Sequence, residues 1–292
     1  MSAPAAPGPG IPGDAPGRPR RTRPAGSRHR AIAVALGVVW ALALLAAAAG
    51  PLISGVLGQP DPGEPVTRPF DAPSAAHPLG GDRLGRDVAA RLLAGNLMLV
   101  LPPAAAAVAA TGLGAAIALA GLLHPAPGRL LRFTADAVLV VPAMILVLAA
   151  VTAAPGAVGP LLAMSVLVAA PMSARYLSAA AAPILGSGFV EAARVAGEPT
   201  WRILILDVLP ALRRPLAADL GLRYVALVFL TATAAFLGAA TGSAEVTWPA
   251  MAQAGLTGVK LNPWATVAPC LAVTLLAAPP ALLADLLLGG RR

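Results

Sequence analysis

The sequence predicts an all-α, polytopic membrane protein with six transmembrane helices. Hydrophobic residues make up 58% of its 292 residues and charged residues only 12%, which is too little polar surface to cover a soluble domain. Its charge-poor runs reach about the 20 residues that a helix needs to span the hydrocarbon core. These runs are rich in alanine and lack the alternation of a lipid-facing barrel, so strands are not expected.

Six charge-poor windows are predicted to be the spans. They are 31–57, 98–123, 133–154, 158–173, 216–239 and 264–288. The fourth window is short, and the third and fifth contain ionisable residues, which makes their boundaries the hardest to place. We interpret 31–57 as an uncleaved first span, although "LLAAAAG" within it leaves cleavage open.

The segments between the windows complete the domain organisation. Residues 1–30 are rich in Pro, Gly and Ala with a basic end, which predicts a disordered tail that can rest on anionic lipid. Residues 58–97 form an extracytoplasmic segment, 98–288 form the transmembrane core, and 289–292 form a cytoplasmic C-terminus.

The basic residues predict the orientation, because cytoplasmic loops near spans retain Lys and Arg. With the N-terminus inside, fifteen arginines fall in inner segments, while only Arg68, Arg83, Arg86, Arg91 and Lys260 fall in outer ones. We therefore expect both termini to lie in the cytoplasm. The expected location of the protein is the plasma membrane. The same distribution accounts for the net charge of +8 without a nucleic-acid partner.

The sequence offers no set of residues for catalysis or metal binding. Cys270 is the single cysteine, and His29, His77 and His124 lie in three different segments. We find no nucleophile elbow, phosphate loop or paired carboxylate site, so we expect no enzyme activity and no bound metal or cofactor.

The stretch "GFVEAARVAGEPTWRILILDVLP", residues 188–210, is polar between apolar neighbours. Its composition predicts two short helices that meet at Gly197, which can adopt a left-handed conformation, with Pro199 starting the second helix. Two faces are predicted: a ridge of small residues in the first helix, and an apolar face in the second that Pro210 ends. The ridge is Ala192, Ala193 and Ala196, and the apolar face is Trp201, Leu204, Ile205 and Val208. Such an elbow can dock in a partner's groove, or it can merely connect two spans.

Four motifs in register carry a resemblance to a known family. They are "EAARVAG" followed by "VLP", "HPLGGDRLGRDV" at 77–88, "FLG" at 236–238 with Trp248 beyond it, and "NPW" at 262–264. Over roughly residues 75–288 the chain resembles the binding-protein-dependent ABC importer permeases for dipeptides, oligopeptides and nickel, in their C-type subunit. The resemblance implies the type I ABC importer permease fold.

The resemblance also implies partners and site residues. A second homologous permease would complete the path, two ATPase subunits would carry ATP and Mg, and an extracytoplasmic binding protein would deliver a small peptide, a nickel chelate or a related solute. The ATPase-coupling residues would be Glu191, Ala192, Ala193, Gly197, Leu209 and Pro210. The matching outer residues are His77, Pro78, Leu79, Gly80, Asp82, Gly85, Arg86 and Asp87.

Local physics suggests what the outer motif does. Its glycines permit tight turns, and Asp87 is well placed in the first turn of a helix, where a carboxylate meets the positive end of the dipole. This structural role is preferred over direct solute contact. Several positions depart from the family pattern: Gly81, Leu97, Asp207, Ala211 and Thr231. Because of these departures, the resemblance does not determine the identity of the solute.

Charges within spans are functional candidates because they are expensive in lipid. Asp136 matches an acidic position of the family at the start of the third span. Asp219 and Arg223 are four residues apart and can pair on one helix face, as a neutral pair near the interface in preference to a solute site. The alternative functions are an ABC permease for an unrelated solute and an ion-gradient-driven secondary transporter, although no internal repeat supports the latter.

Overall fold

The structure is a computed structural model that describes residues 26–56, 58, 60–94, 97–123, 133–134, 137–154, 157–237 and 247–289. Apart from two isolated β-bridges, regular structure in these ranges is helical. Its named α-helices are α1 Gly26–Val56, α2 Val88–Leu93, α3 Leu97–Leu123, α4 Ala143–Ala153, α5 Val158–Leu185, α6 Gly188–Val195, α7 Thr200–Ile203, α8 Leu209–Ala211, α9 Arg213–Phe236, α10 Trp248–Gly255 and α11 Trp264–Gly289.

Apolar helices lie at each of the six predicted windows. In the described ranges, three of these helices (α3, α5 and α9) are long and apolar enough to cross a membrane. Shorter apolar stretches occur at Val34–Leu45, Ala143–Ala153 and Trp264–Pro280. The chain is therefore an α-helical, multi-pass membrane protein, and the span count of six stays a prediction.

Two helices differ strongly from their windows, and α1 also begins early, at Gly26, inside the tail predicted for residues 1–30. The fourth window ended at residue 173, before Arg175, but α5 continues to Leu185. An exposed charge can end an apolar window without interrupting the backbone hydrogen bonds of a helix. In the third window, α4 begins only at Ala143, after Pro142. Proline has no N–H to donate and disfavours helix in the residue before it, so it suits a helix start.

The helices pack through small residues and a shared apolar core. At the crossing of α3 and α5, a Cβ added to Gly114 would lie 2.5 Å from Ser173 Cβ and 2.8 Å from the Ala174 nitrogen. Glycine at this position therefore lets the two backbones approach closely. A larger apolar cluster includes the fully buried Val228 of α9 and Leu276 of α11. Residues of α1 and α3 pack in the same cluster, so it connects all four helices.

Residues 60–94 form a loop that folds back on the bundle, and we call it the motif loop. Its backbone closes on itself through Gly85, whose carbonyl accepts hydrogen bonds from the nitrogens of Val66 and Thr67, both at 2.8 Å. Phe70 has a positive φ of 56°. Its ring lies where a Cβ on Gly258 would be, so the loop packs directly on the chain between α10 and α11.

Candidate functional site

The elbow, residues 188–210, turns at Gly197 as the sequence predicts. Gly197 has a φ of +79° and follows Ala196, the residue that caps α6. The Gly197 nitrogen donates to the Arg194 carbonyl at 3.0 Å, and the Glu198 nitrogen donates to the Ala193 carbonyl at 3.1 Å. These two bonds form a Schellman motif, which satisfies carbonyls at the end of the helix and requires the left-handed residue.

One side of the elbow packs tightly. Val190 of α6 and Ile203, Leu204 and Val208 beyond the corner are all 0–1% exposed and form one cluster with Leu212. Residues lining α3 and α5, together with Leu216 of α9, pack against this cluster. The elbow is therefore anchored to the spanning helices and cannot swing independently of them without breaking this packing.

The predicted apolar face of the second helix is only half right. Leu204 and Val208 are buried, but Trp201 is 56% and Ile205 50% exposed. A π-helical turn at Leu204–Val208 causes the difference, because its wider repeat shifts the faces away from the α-helical spacing. Pro210 does not end the helix either: it lies in the first turn of α8, where a missing N–H costs least, and a break follows at Leu212.

The other side of the elbow is open. Glu191, Ala192, Ala196 and Gly197 are exposed, and a Cβ added to Gly197 would meet no atom within 4 Å. Ala193, which the sequence placed on the same ridge, packs partly against the buried cluster instead. Leu209 is half-buried and Pro210 is exposed. The corner thus presents small residues and one carboxylate, with the exposed Arg194 and Val195 beside them.

Two carboxylates of the motif loop, those of Asp87 and Asp82, make contacts within the loop. Asp87 caps α2: its Oδ1 accepts from the nitrogens of Ala89 and Ala90 at 2.7 and 3.1 Å. Its Oδ2 lies 2.6 Å from His77 Nδ1. Asp87 is therefore the N-cap, one residue before the first turn predicted for it. The position of the carboxylate at the helix N-terminus is as expected.

Asp82 organises the turn before this helix. Its Oδ1 accepts from the nitrogens of Leu84 and Arg86 at 2.7 and 3.0 Å, and its Oδ2 accepts from Arg86 Nε at 2.9 Å. The buried Arg91 brings its Nε to 3.5 Å from the same Oδ2. Gly80 and Gly85 have φ values of +69° and +74°, which confirms the tight turns predicted for the motif.

A cavity of about 390 Å³ lies beside this network. Asp82, Arg86 and Arg91 line it from the motif loop, and Met251 and Gln253 of α10 line it from the opposite side. Its volume falls in the range of small-ligand pockets. Asp82 contacts both of these arginines, but Arg83 also lines the cavity, so this wall carries three arginines against one carboxylate and is positively charged.

Two motifs that are distant in sequence meet at the motif loop. Asn262 of the "NPW" motif is fully buried, and its Nδ2 donates to the carbonyls of Leu79 and Gly81 at 2.9 and 3.0 Å. Trp248 donates from Nε1 to the Leu92 carbonyl at 3.1 Å. The loop is thus held near its middle and near its C-terminal end by side chains that follow α9.

Within the spans, Asp219 and Arg223 form the predicted pair. Arg223 Nε lies 3.2 Å from Asp219 Oδ1, and Thr111 of α3 donates to Asp219 Oδ2 at 3.1 Å. Asp219 is fully buried and the Arg223 side chain is 17% exposed, so the pair reaches from the interior of the bundle to its edge, and its place near the membrane interface stays a prediction. Asp136, the third intramembrane candidate, is outside the described residues.

Comparison with known proteins identifies the family. The model of the binding-protein-dependent transport system inner membrane component matches residues 110–289. The chain belongs to this family. A peptide transport system permease of Brucella abortus is 30% identical over 263 residues, covering 88% of this chain and 86% of the relative. A di/tripeptide permease of Pseudomonas aeruginosa is 28% identical over 199 residues, 68% and 65% of the two chains. An oligopeptide permease of Mycobacterium bovis is 27% identical over 201 residues, 68% and 69% of the two chains.

The permease departs from the family pattern at Gly81, and its own structure explains why. A Cβ there would collide with Thr67 Oγ1 and lie 2.6 Å from the Arg68 carbonyl oxygen. The threonine that the family resemblance implies at this place would not fit against Thr67 and the backbone as they lie here. The change is therefore a local packing adjustment within the motif loop.

Sequence reasoning missed the residues that connect the motifs of the permease. Asn262 and Trp248 were noted as family matches without a role, and Arg91, which is 1% exposed and donates to the Pro62 carbonyl at 3.0 Å, was counted only as an outer charge. A polar residue inside a matched motif beside an apolar span was the available signal for Asn262.

Proposed function

We propose that this permease forms, with a second homologous permease subunit, the translocation path of an ABC importer for a small peptide or a related solute such as a nickel chelate. The names of the relatives support a peptide: they are described as peptide, di/tripeptide and oligopeptide transport system permeases. The outer-motif match at 77–88 points to the same solute class.

The observation that carries the proposal is the open corner of the elbow. Glu191, Ala192, Ala196 and Gly197 leave a surface of small residues uncovered while the opposite side is anchored to α3, α5 and α9. A partner that pushes or pulls on this surface therefore acts on the spanning helices. In our proposal the partner is an ATPase subunit, which carries ATP and Mg, and its closure rocks the spans between inward-open and outward-open states.

The two ends of α9 support the proposed orientation. Arg213 at its start follows the elbow, whereas beyond its other end Trp248 contacts the motif loop. The elbow and the loop therefore lie at opposite ends of this helix, as a cytoplasmic coupling surface and an extracytoplasmic segment should. In our proposal both termini are cytoplasmic, and a binding protein delivers solute on the side of the motif loop.

Gly197→Asp tests the coupling role. The substitution places a side chain on the open surface and strains a left-handed residue by about 1–2 kcal/mol. We expect the variant to reach the membrane at the wild-type level but to lose solute uptake and solute-stimulated ATP hydrolysis in the reconstituted importer. Glu191→Ala, which changes no packing contact of the elbow, should weaken both activities without abolishing them.

Two controls make the result specific. Gly188→Asp adds the same charge at the start of α6, where φ is not positive and a Cβ also meets open space, so it should retain most of the activity. Gly197→Asn has nearly the same side-chain size and tolerance of the left-handed conformation as Gly197→Asp, so it separates the effect of the negative charge from that of the bulk. Wild-type uptake by Gly197→Asp with normally bound ATPases would refute the coupling role. Uptake by the isolated chain without ATP would favour the secondary transporter.

A further inference from the structure

Helix α9 has a face that the described part of the chain does not cover. Leu222, Ala226, Phe229 and Thr233 follow one another at helical spacing and are all exposed. Arg223 lies at the border of this open stripe, and its side chain is 17% exposed. Counting about 1.5 Å per residue from Arg213, Arg223 lies roughly 15 Å along the helix, near the middle of a hydrocarbon core about 30 Å thick.

A lipid environment would destabilise the Arg223 guanidinium at this border, because its N–H groups need acceptors. Arginine has five N–H donors, and in the described part of the chain Arg223 uses only Nε, toward Asp219. The remaining N–H groups would be left without acceptors in hydrocarbon, which is costly for a guanidinium at mid-membrane depth. Arg223 therefore borders either the aqueous path or another polar surface.

Asp219 and Thr111 fix the direction of the guanidinium. Both oxygens of Asp219 are occupied, Oδ1 by Arg223 and Oδ2 by the hydroxyl of Thr111 on α3. Because Asp219 takes the Nε side, the two Nη groups are left for another acceptor. A planar pair of N–H groups matches a carboxylate in particular, since two parallel hydrogen bonds can form.

We propose that Arg223, held by Asp219 and Thr111, lines the translocation path and binds the carboxylate of the passing solute. The proposal rests on the proposed importer function, in which the uncovered stripe of α9 faces the path. Asp219 already balances the charge of Arg223, so the contact consists mainly of hydrogen bonds and is weak. Weak binding suits a path, because a solute must leave the site as well as enter it.

Uptake of matched peptides by the reconstituted importer tests the contact. A tripeptide and its C-terminally amidated form are compared in wild type, Arg223→Gln and Arg223→Lys, with one binding protein throughout, so that a changed ratio comes from the permease. We expect Arg223→Gln to reduce the preference for the free carboxylate by about tenfold or more, through KM, because a hydrogen bond to a charged group is lost. Arg223→Lys should retain part of the preference.

A double variant guards against misfolding. Arg223→Gln leaves the buried Asp219 without its cation, whereas Asp219→Asn combined with Arg223→Gln keeps the site neutral. The double variant should transport the free and amidated peptides at equal rates, with no preference for the free form. An unchanged ratio in an active Arg223→Gln importer would overturn the Arg223 proposal and leave the importer function standing. Absence of ATP-dependent peptide uptake in wild type would instead overturn the importer proposal and this one with it.

Thiol accessibility tests the location independently. In a Cys270→Ser background, needed because Cys270 is exposed, Arg223→Cys should react with a membrane-impermeant thiol reagent, and the tripeptide should slow that reaction. Val108→Cys, on the exposed side of α3, serves as a spanning control. If Arg223→Cys reacts no faster than Val108→Cys, Arg223 does not border the aqueous path, and the proposal is wrong.

Discussion

Replacing Asn262 with alanine should release the motif loop from the bundle. The side chain is fully buried; it donates to the carbonyls of Leu79 and Gly81, and its Oδ1 accepts from the Trp264 nitrogen at 3.2 Å. Alanine leaves both carbonyls without their donor, and each unsatisfied buried group costs about 1–3 kcal/mol. Some of that cost is recovered when water enters, so we expect a loss of about 2–4 kcal/mol in the free energy of local opening.

Hydrogen–deuterium exchange of the purified complex measures this loss directly. Because about 1.4 kcal/mol corresponds to a factor of ten, protection of the loop amides should fall by roughly 30- to 700-fold. The informative amides are those of Phe70, Gly81 and Asp82, which bond within the loop. Gln253→Ala is the matched control, since it removes an exposed side-chain amide from α10. Protection within threefold of wild type in a folded Asn262→Ala complex would refute the bracing role.

Two further predictions concern packing and capping. Gly114→Ala should lower the unfolding midpoint of the complex in detergent, by an equivalent of about 1–3 kcal/mol, because the new methyl group collides with Ser173. Gly112→Ala, on the same helix with nothing within 4 Å, should be neutral or stabilising by up to roughly 1 kcal/mol, and equal effects would contradict the close crossing. Asp87→Ala should cost about 1–2 kcal/mol and speed amide exchange in α2, whereas Asp87→Asn should retain most of the cap; identical exchange in the two variants would show that capping is not the role of Asp87.

The features that could be predicted from the sequence are those decided by neighbours in the chain. The left-handed corner at Gly197 depends on one residue's freedom to adopt a positive φ. The cap at Asp87 depends on the next few amides, and the pairing of Asp219 with Arg223 depends on a four-residue spacing. Each lies within about a helical turn, so local chemistry is sufficient.

Features set by distant contacts could not be predicted in the same way. Asn262 braces a loop that lies far earlier in the chain, and nothing next to it in sequence reveals its acceptors. The π turn at Leu204–Val208 has no composition of its own, so the sequence predicts an α-helical repeat that puts Trp201 and Ile205 on the same face as Leu204 and Val208. The burial of Asp219 likewise depends on Thr111, on another helix, so the four-residue spacing predicts the pair but not how deeply the carboxylate lies in the bundle.

The contact between Phe70 and Gly258 has an evolutionary consequence. Phe70 holds a left-handed backbone conformation that costs a residue with a side chain about 1–2 kcal/mol, and its ring occupies the volume that a side chain at 258 would need. The side chains at positions 70 and 258 therefore compete for one volume, so position 258 cannot take a larger residue while phenylalanine remains at position 70. In an alignment of relatives, we expect residues larger than glycine at position 258 to accompany a smaller residue at position 70, and the two positions to co-vary although most of the chain separates them.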